Sequence, residues 1–255
     1  MGLFDTRNKK IAWGALGVLV LILLILPDPK KIGIEAPVVE TPSPVVKTET
    51  VREEKPAYVI DAEYPQLEGL GEEERQAIVN DMIKKEVLDS VAEFKKNQSD
   101  LFAEGQQSDF QIRYDVAYLN ASLFSLDLQY FESYSGAAHP YGYSETMNFD
   151  LRSGERVRLD DLFLSDAEYL PVLAEAAKKE LEARFPTEEG QKMWDEDGAK
   201  PTAANYEEFL ITPEGFVVIF NPYQVVAYAA GVQRITVPYA ALAELLDPAG
   251  ILAAR

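Results

Sequence analysis

The sequence predicts an α+β fold, in which antiparallel strands pack with helices, behind one N-terminal membrane-spanning helix. Three observations predict it: an uncharged run at residues 11–27, two segments with apolar residues at helical spacing, and several segments in which apolar and polar residues alternate. Helical and strand segments are grouped along the chain rather than strictly alternating. This grouping favours antiparallel pairing over a parallel α/β arrangement.

The uncharged run at 11–27 lies at the lower length limit for a helix that crosses a membrane. A cleaved signal peptide is the alternative, but the first small residue suited to a cleavage site, Ala36, precedes a proline, where cleavage is disfavoured. Basic residues are more concentrated before the run than after it. This bias predicts a short cytoplasmic tail at 1–10 and a C-terminal domain outside the cytoplasm, at the cell surface or in the periplasm.

The remainder of the chain is strongly acidic, with 41 acidic and 19 basic residues in 32–255. Such a field repels nucleic acid and favours cationic partners, although acidity also serves solubility alone. The chain has no cysteine, which excludes disulfides, a thiolate nucleophile and cysteine-ligated zinc. His139 is the only histidine, so a multi-histidine metal site is excluded as well. No cofactor is therefore expected.

The segment 28–57 is rich in proline and predicts an extended stalk, with the folded part starting near Tyr58. A helix follows, with acidic residues in its first turn and lysines in its last, as the helix dipole prefers. Its apolar positions, spaced by three or four residues, are Val79, Ile83, Val87, Val91 and Phe94.

Alternating apolar residues predict two adjacent antiparallel strands at 110–118 and 124–130, and a hairpin at 143–151 and 156–159. The pattern Ser165 to Glu168 predicts a capping box at the start of a second helix. The later elements are an acidic loop at 187–205, a hairpin at 209–211 and 216–220, a strand at 234–237 and a closing helix at 239–246.

Two loops combine tyrosines with prolines and small residues, at 134–143 and 221–231. Rigid aromatic faces on loops suit recognition, because they lose little conformational entropy on binding. The alternatives are a structural turn for the first loop and core tyrosines under the second. The candidate binding residues are Tyr134, His139, Tyr141, Tyr143, Tyr223 and Tyr228.

The catalytic alternatives rest on single residues or on carboxylate pairs. Ser135 lies near His139, but the sequence has no Gly-x-Ser-x-Gly elbow. The pairs Asp160–Asp161 and Glu207–Glu208 could serve a glycosidase, although solvated charge explains them far better. Residues 195–198 resemble part of a calcium loop without its remaining acidic ligands. The residues therefore predict a protein that is not an enzyme.

Several short motifs in a fixed order resemble the paired DUF4163 and DUF3298 domains, with the first part at 58–142 and the second at 143–255. The motifs are Tyr64–Pro65, 135–140, 147–154, 159–163, 209–216, 221–231 and 237–239. The resemblance implies an α+β, partly β-grasp-like module. Related domains form the extracytoplasmic parts of RsiV-like anti-sigma factors, which bind lysozyme, and stand beside the catalytic domain of PdaC-like deacetylases.

The predicted tail of about ten residues is too short for the sigma-binding segment of RsiV-like proteins, and the chain lacks the histidines of a deacetylase metal site. The resulting expectation is a membrane-anchored binding or sensor module outside the cytoplasm. Its expected partner is a cell-wall saccharide, such as a peptidoglycan fragment, or a basic protein like lysozyme. A cell-wall hydrolase that uses His139 or a carboxylate pair is the alternative.

Overall fold

The computed structural model describes residues 44–98, 107–187 and 193–254. In these ranges the chain forms two helices, α1 (Glu73–Lys96) and α2 (Tyr169–Arg184), and nine strands. The strands are β1 (Val45–Glu54), β2 (Tyr58–Glu68), β3 (Ser108–Leu119), β4 (Leu123–Ser133), β5 (Tyr141–Asp150), β6 (Glu155–Arg156), β7 (Phe209–Ile211), β8 (Gly215–Phe220) and β9 (Gln233–Pro238).

The predicted membrane segment at 11–27 and the tail before it lie outside the described residues. Neither α1 nor α2 is long and apolar enough to span a bilayer.

The first six strands form one sheet in the order β1-β2-β3-β4-β5-β6. The predicted antiparallel pairing of β3 with β4 is confirmed. The expectation of antiparallel pairing throughout is wrong for β2 and β3, which run parallel with Ile60 opposite Phe110. Parallel neighbours need a crossover connection, and α1 lies in the connection between these two strands. The sheet is therefore mixed.

Strand β1 lies inside the segment that was predicted to be a stalk. Its ten residues pair with β2 in continuous antiparallel register, from Val45 opposite Glu68 to Glu54 opposite Val59. The valines and threonines of this segment suit a strand, and the prolines lie outside it. Most of its side chains are exposed, because β1 is an edge strand. The sheet thus begins before Tyr58.

Helix α1 covers one face of this sheet with the apolar stripe that its spacing predicts. All five predicted residues are buried, from Val79 to Phe94. They pack on alternate residues of the strands, among them Ile60, Phe110 and Leu128, which are at most 1% exposed. These contacts form the first of two hydrophobic cores.

The second core lies between α2 and the three-stranded antiparallel sheet β7-β8-β9. The predicted hairpin and last strand are confirmed. The predicted capping box is wrong: Asp166 has a φ of 68°, which turns the chain before α2 begins, and the N-cap Glu168 makes no side-chain cap bond. The predicted closing helix is only a 3₁₀ turn, Tyr239–Ala241, after which Leu246 bridges to Phe163.

Polar side chains join the two sheets along a buried seam. Ser125 Oγ accepts a hydrogen bond from the backbone N–H of Ile211 (2.9 Å), and Asn148 Nδ2 donates to the carbonyl of Phe209 (2.8 Å). The N–H of Phe209 donates to Thr146 Oγ1 at 3.0 Å. The side chains of this seam belong to β4 and β5, which pair along the length of β5. Strand β5 crosses the boundary between residues 142 and 143 at which the sequence divides the domain into its two expected parts.

Candidate functional site

Five of the six candidate binding residues belong to one stack of aromatic rings, which begins at buried Tyr130 and ends at exposed Tyr223. The successive ring centroids are 4.7 Å apart for Tyr130–Tyr143, 5.5 Å for Tyr143–Tyr141, 6.5 Å for Tyr141–Tyr228, 4.2 Å for Tyr228–His139 and 5.7 Å for Tyr228–Tyr223. The interplanar angles lie between 4° and 28°. Such offset stacking holds each ring in place.

His139 lies at the exposed end of this ring stack. Its Nδ1–H donates to the carbonyl of Pro140 (2.9 Å), so its Nε2 is free to accept from the hydroxyl of Tyr223 at 3.4 Å. The hydroxyl of Tyr228 donates to the same Pro140 carbonyl. None of these bonds involves a carboxylate or a serine hydroxyl, which a hydrolytic triad would need.

The loop 221–231 that carries Tyr223 and Tyr228 is fixed to β5 by a side chain. Asn221 Oδ1 accepts from the N–H of Ser144 (2.8 Å), and Asn221 Nδ2 donates to the carbonyl of Ser144 (2.9 Å). This pair of bonds continues the sheet as a strand would. Tyr223 follows with a φ of 71°, a left-handed conformation that is uncommon for a tyrosine, and its side chain is 60% exposed.

A second segment supports this loop from behind. Gln224 Nε2 donates to the carbonyls of Gly198 (3.2 Å) and Asn205 (3.1 Å). A Cβ at Gly198 would lie 1.7 Å from the carbonyl oxygen of Gln224, so only glycine fits here. The part of the predicted acidic loop that the structure describes after the gap, 193–205, therefore supports the ring loop, with Tyr206 buried next to it.

A cleft of about 430 Å³ lies beside Tyr228, on the face of β4 and β5 that is opposite α1; we call it the outer cleft. Phe131, Gly142, Ser144, Pro222, Tyr228, Gly231, Gln129 and Arg234 are among its lining residues. Arg234 forms an ion pair with Asp127, whose side chain is 2% exposed, and also donates to Ser144 Oγ at 3.0 Å. The outer cleft thus has aromatic walls, and the charges of Arg234 and Asp127 at its floor neutralise each other.

The candidate residues did not include Asp127 and Arg234. Sequence reasoning could have noticed Asp127, because an acidic residue stands between two buried leucines of a predicted strand. Its partner lies 107 positions later in the chain, and nothing local connects the two.

The sixth candidate, Tyr134, follows the end of β4 and packs against α1. Its ring centroid is 5.4 Å from that of Phe94, and its hydroxyl donates to Glu132 at 3.1 Å. Burial raises the pKa of Tyr134 to about 12. Tyr134 therefore does not join the ring stack, but Tyr143 contacts both regions.

Tyr134 lines a cleft of about 230 Å³, which we call the helix-side cleft. Its walls are Glu86, Asp89, Ser90, Glu93, Phe94 and Asn97 of α1 with Glu132, Tyr134, Tyr143 and Glu145. Burial raises the pKa of Glu145, and the hydroxyl of Tyr143 donates to Glu132 at 3.3 Å. This cleft is rich in carboxylates, and its lining contains no basic residue.

Three of the four carboxylates in the predicted pairs have structural partners. Asp161 accepts from the backbone N–H of Arg158 (2.8 Å), and Asp160 pairs with the guanidinium of the same arginine (2.9 Å). Glu208 accepts from both the N–H (2.5 Å) and the hydroxyl (2.9 Å) of Thr146, while burial raises the pKa of its carboxyl. Across the described ranges, no group of three or more histidine, aspartate or glutamate side chains is placed to hold a metal ion.

Two family profiles match this chain in succession. "Deacetylase PdaC" matches residues 51–141, and "Protein of unknown function (DUF3298)" matches residues 160–240. Tyr134, His139 and Tyr141 lie in the first match, and Tyr223 and Tyr228 lie in the second. The contacts of His139 and Tyr141 with Tyr228 therefore join the two matched regions.

Three curated relatives show what kinds of protein share these regions. The peptidoglycan-N-acetylmuramic acid deacetylase PdaC of Bacillus subtilis is 25% identical over 64% of this chain and 35% of its own length. The immunogenic protein MPT64 of Mycobacterium tuberculosis is 27% identical over 44% of this chain and 47% of its own length. The anti-sigma-V factor RsiV of Bacillus subtilis is 25% identical over 77% of this chain and 68% of its own length.

Solved structures share the fold. A DUF3298 family member from Bacteroides fragilis has a TM-score of 0.55 at 17% identity and covers 79% of this chain and 94% of its own. A DUF3298 family protein from Pseudomonas aeruginosa has a TM-score of 0.54 at 13% identity, covering 80% and 95%. Both profiles, the relatives and the fold agree: the chain contains a domain of the DUF3298, PdaC and RsiV-like family.

Proposed function

We propose that this domain is a non-enzymatic binding module that works outside the cytoplasm and is held at the membrane by the segment 11–27. It contacts its ligand through the exposed end of the ring stack, formed by His139, Tyr223 and Tyr228, and through the adjoining outer cleft. The observation that carries the proposal is the rigid packing of these three rings at the surface, where they are already ordered before a ligand arrives.

Pre-ordered aromatic rings are efficient contacts because little side-chain entropy is lost when they bind. Asn221 and Gln224 fix the loop backbone beneath them, so the loop does not have to fold around the ligand. Arg234 and Asp127 neutralise each other at the floor of the outer cleft. The surface therefore offers apolar ring faces and hydrogen-bonding edges without an unpaired buried cation.

Two ligand classes fit this surface. The acidity of residues 32–255 favours a basic protein such as lysozyme, since complementary charge accelerates association. Similarity to a peptidoglycan deacetylase supports a peptidoglycan fragment. An extracytoplasmic location is supported by the N-terminal apolar run and by relatives that include an anti-sigma factor and a cell-wall enzyme.

Calorimetric titration of the full chain in detergent micelles, against hen lysozyme and against purified peptidoglycan fragments, tests this function. We expect one ligand class to bind and Tyr223→Ala to weaken its binding about tenfold or more, as for an interface hot spot. Leu164→Ala is the matched control, because Leu164 is an exposed apolar residue (45%) outside the ring stack. Absence of binding to both classes would contradict the proposal.

A cell-wall hydrolase is the second candidate. One observation favours it: burial raises the pKa of the carboxyls of Glu145 and Glu208, a property that general acids share. Incubation of the full chain with peptidoglycan, followed by measurement of released reducing ends, tests it. Turnover that is lost in Glu145→Gln or Glu208→Gln would replace the binding proposal with a catalytic one.

A further inference from the structure

Strand β5 has β4 on one side, and apart from its short pairing with β6 its other edge carries side chains instead of a strand. Asn221 bonds both backbone groups of Ser144, the N–H at 2.8 Å and the carbonyl at 2.9 Å. At Thr146, Glu208 accepts from the N–H (2.5 Å) and Arg156 donates to the carbonyl (2.8 Å). Ser144 and Thr146 therefore direct their backbone groups away from β4.

Gly142 precedes Ser144 by two residues in the same strand. The register of β5 with β4 is continuous here, with Gly142 opposite Phe131. Because backbone groups alternate between the two edges of an antiparallel strand, the N–H and the carbonyl of Gly142 also point away from β4. Neither group has a hydrogen-bond partner among the described residues. Two residues earlier, the carbonyl of Pro140 is occupied by the hydroxyl of Tyr228. The open part of this edge is thus a single residue.

The fold itself does not require a glycine at position 142. Its φ is not left-handed, and a Cβ would meet its nearest atom, the carbonyl oxygen of Tyr130, at an ordinary 3.5 Å. A glycine inside a strand lowers stability, and it often marks a position that a ligand approaches closely. Gly142 is half-buried and lines the outer cleft. The missing side chain therefore leaves room in this cleft beside two free backbone groups.

We propose that the outer cleft binds a primary carboxamide group at the backbone of Gly142; this inference rests on the binding function proposed above. The chain contains a template for the contact, because the carboxamide of Asn221 bonds Ser144 through one oxygen and one nitrogen. A carboxamide carries its acceptor and its donor side by side, so it accepts from the N–H of Gly142 and donates to the carbonyl. The group belongs to an asparagine or glutamine side chain, or to the terminal amide of a peptide.

Other polar groups fit this pair of backbone groups less well. A carboxylate only accepts and an ammonium or guanidinium group only donates, so each leaves one of the two backbone groups unpaired. The acetamido group of a saccharide is a trans secondary amide, whose N–H and carbonyl point in opposite directions. A second extended strand does not fit either, because Asn221 and Tyr228 occupy the neighbouring positions of the edge.

NMR titration of the full chain in detergent micelles tests this contact with two probes. N-acetyl-asparagine methylamide supplies a side-chain carboxamide, and N-acetyl-alaninamide supplies a terminal one. The matched controls without a primary carboxamide are N-acetyl-leucine methylamide and N-acetyl-alanine dimethylamide. We expect at least one carboxamide to bind about fivefold more tightly than its control, and the amide proton of Gly142 to move downfield as it binds. The probe that binds more tightly identifies the source of the group.

A variant at Gly142 separates binding from folding. Gly142→Val fills the space beside the two backbone groups without removing them. Because valine suits a strand and a Cβ meets only ordinary contacts here, we expect the urea midpoint to stay the same or rise, while carboxamide binding weakens about tenfold. Thr50→Val, at an exposed position of β1, is the matched control and should leave binding unchanged. If Gly142→Val fails to fold by circular dichroism, Gly142→Ala replaces it, with a loss of about threefold expected.

The proposal is overturned if both carboxamides bind no more tightly than their controls, if neither binds, or if the amide signal of Gly142 does not move. Unchanged carboxamide binding by a folded Gly142→Val variant would also overturn it. This failure is distinguishable from failure of the proposed function. If lysozyme or peptidoglycan fragments bind the chain and its Gly142→Val variant equally, the carboxamide contact is wrong and the binding function stands.

Discussion

The two clefts on opposite faces of β4 and β5 differ in how their buried carboxylates are neutralised. In the outer cleft Arg234 of β9 pairs with Asp127, so the chain supplies its own cation. In the helix-side cleft Glu145 has no such partner, and Glu86 adds repulsion. The difference indicates that the chain neutralises the buried carboxylate of the outer face with its own cation, whereas ionisation of the buried carboxylate on the helix side remains unfavourable.

Removing the guanidinium of Arg234 is expected to have the largest effect on the stability of the fold. Arg234→Met leaves the carboxylate of Asp127, which is 2% exposed, without its partner in the interior. We expect a loss of about 3 kcal/mol in the free energy of unfolding, the lower end for a broken buried pair because Arg234 itself is partly solvated. Urea unfolding at pH 7 measures it. The double variant Asp127→Asn/Arg234→Met should recover most of the loss; no recovery would contradict the role of unpaired charge.

The next effect concerns the support behind the ring loop. Gly198→Ala places a Cβ against the backbone carbonyl of Gln224, so the two segments must separate. We expect a loss of about 2 kcal/mol in unfolding free energy, as for overpacked sites, and weaker ligand binding. Thermal unfolding and ligand titration measure the two. Gly250→Ala, where a Cβ would meet its nearest atom at 3.2 Å, is the milder control. Unchanged stability in Gly198→Ala would refute the close packing.

Smaller changes at the rings separate binding from folding. Tyr228→Phe keeps the stacking with His139 but removes the hydrogen bond to Pro140. We expect a loss of about 1 kcal/mol in stability, the usual net value of one hydrogen bond, with ligand affinity reduced less than in Tyr223→Ala. Unfolding and ligand titration of both variants measure these losses. A larger loss of affinity in Tyr228→Phe than in Tyr223→Ala would contradict the assignment of Tyr223 to the contact surface.

The smallest effect is a pH dependence on the helix side. Burial raises the folded-state pKa of Glu145 above its unfolded value, so its ionisation opposes folding, and its contribution to stability falls as pH rises above about 4.5. Glu145→Gln should therefore raise the melting temperature at pH 7 by up to about 3 °C, with a smaller gain at pH 4. Melting curves at both pH values check this, with Glu214→Gln as the control. An equal gain at both would refute the burial argument.

The sequence predicts those helices and strands in which buried residues recur at a regular spacing along the chain. Val79 to Phe94 in α1 and the alternation of 124–130 in β4 are confirmed because each packs one whole face on the first core. Strand β1 was missed because most of its side chains are exposed and show no alternation. The parallel pairing of β2 with β3 was missed because it depends on the path of α1 between them, which no local pattern records.

The sequence predicted which residues belong to the candidate site, but it did not predict that they lie in two separate regions of the structure. Loop chemistry pointed to the six residues, but Tyr134 packs against Phe94 of α1, and no local sequence pattern predicts this contact. Likewise, the pair of Asp127 with Arg234 arises only when the two sheets meet.

Mapping of backbone amide chemical shifts in the full chain, during titration with whichever of lysozyme or peptidoglycan fragments binds, tests the central claim most directly. The account predicts the largest shifts at residues 139–142 and 221–231, around the exposed end of the ring stack. Largest shifts elsewhere, such as on the exposed strand Val45–Glu54, would contradict it.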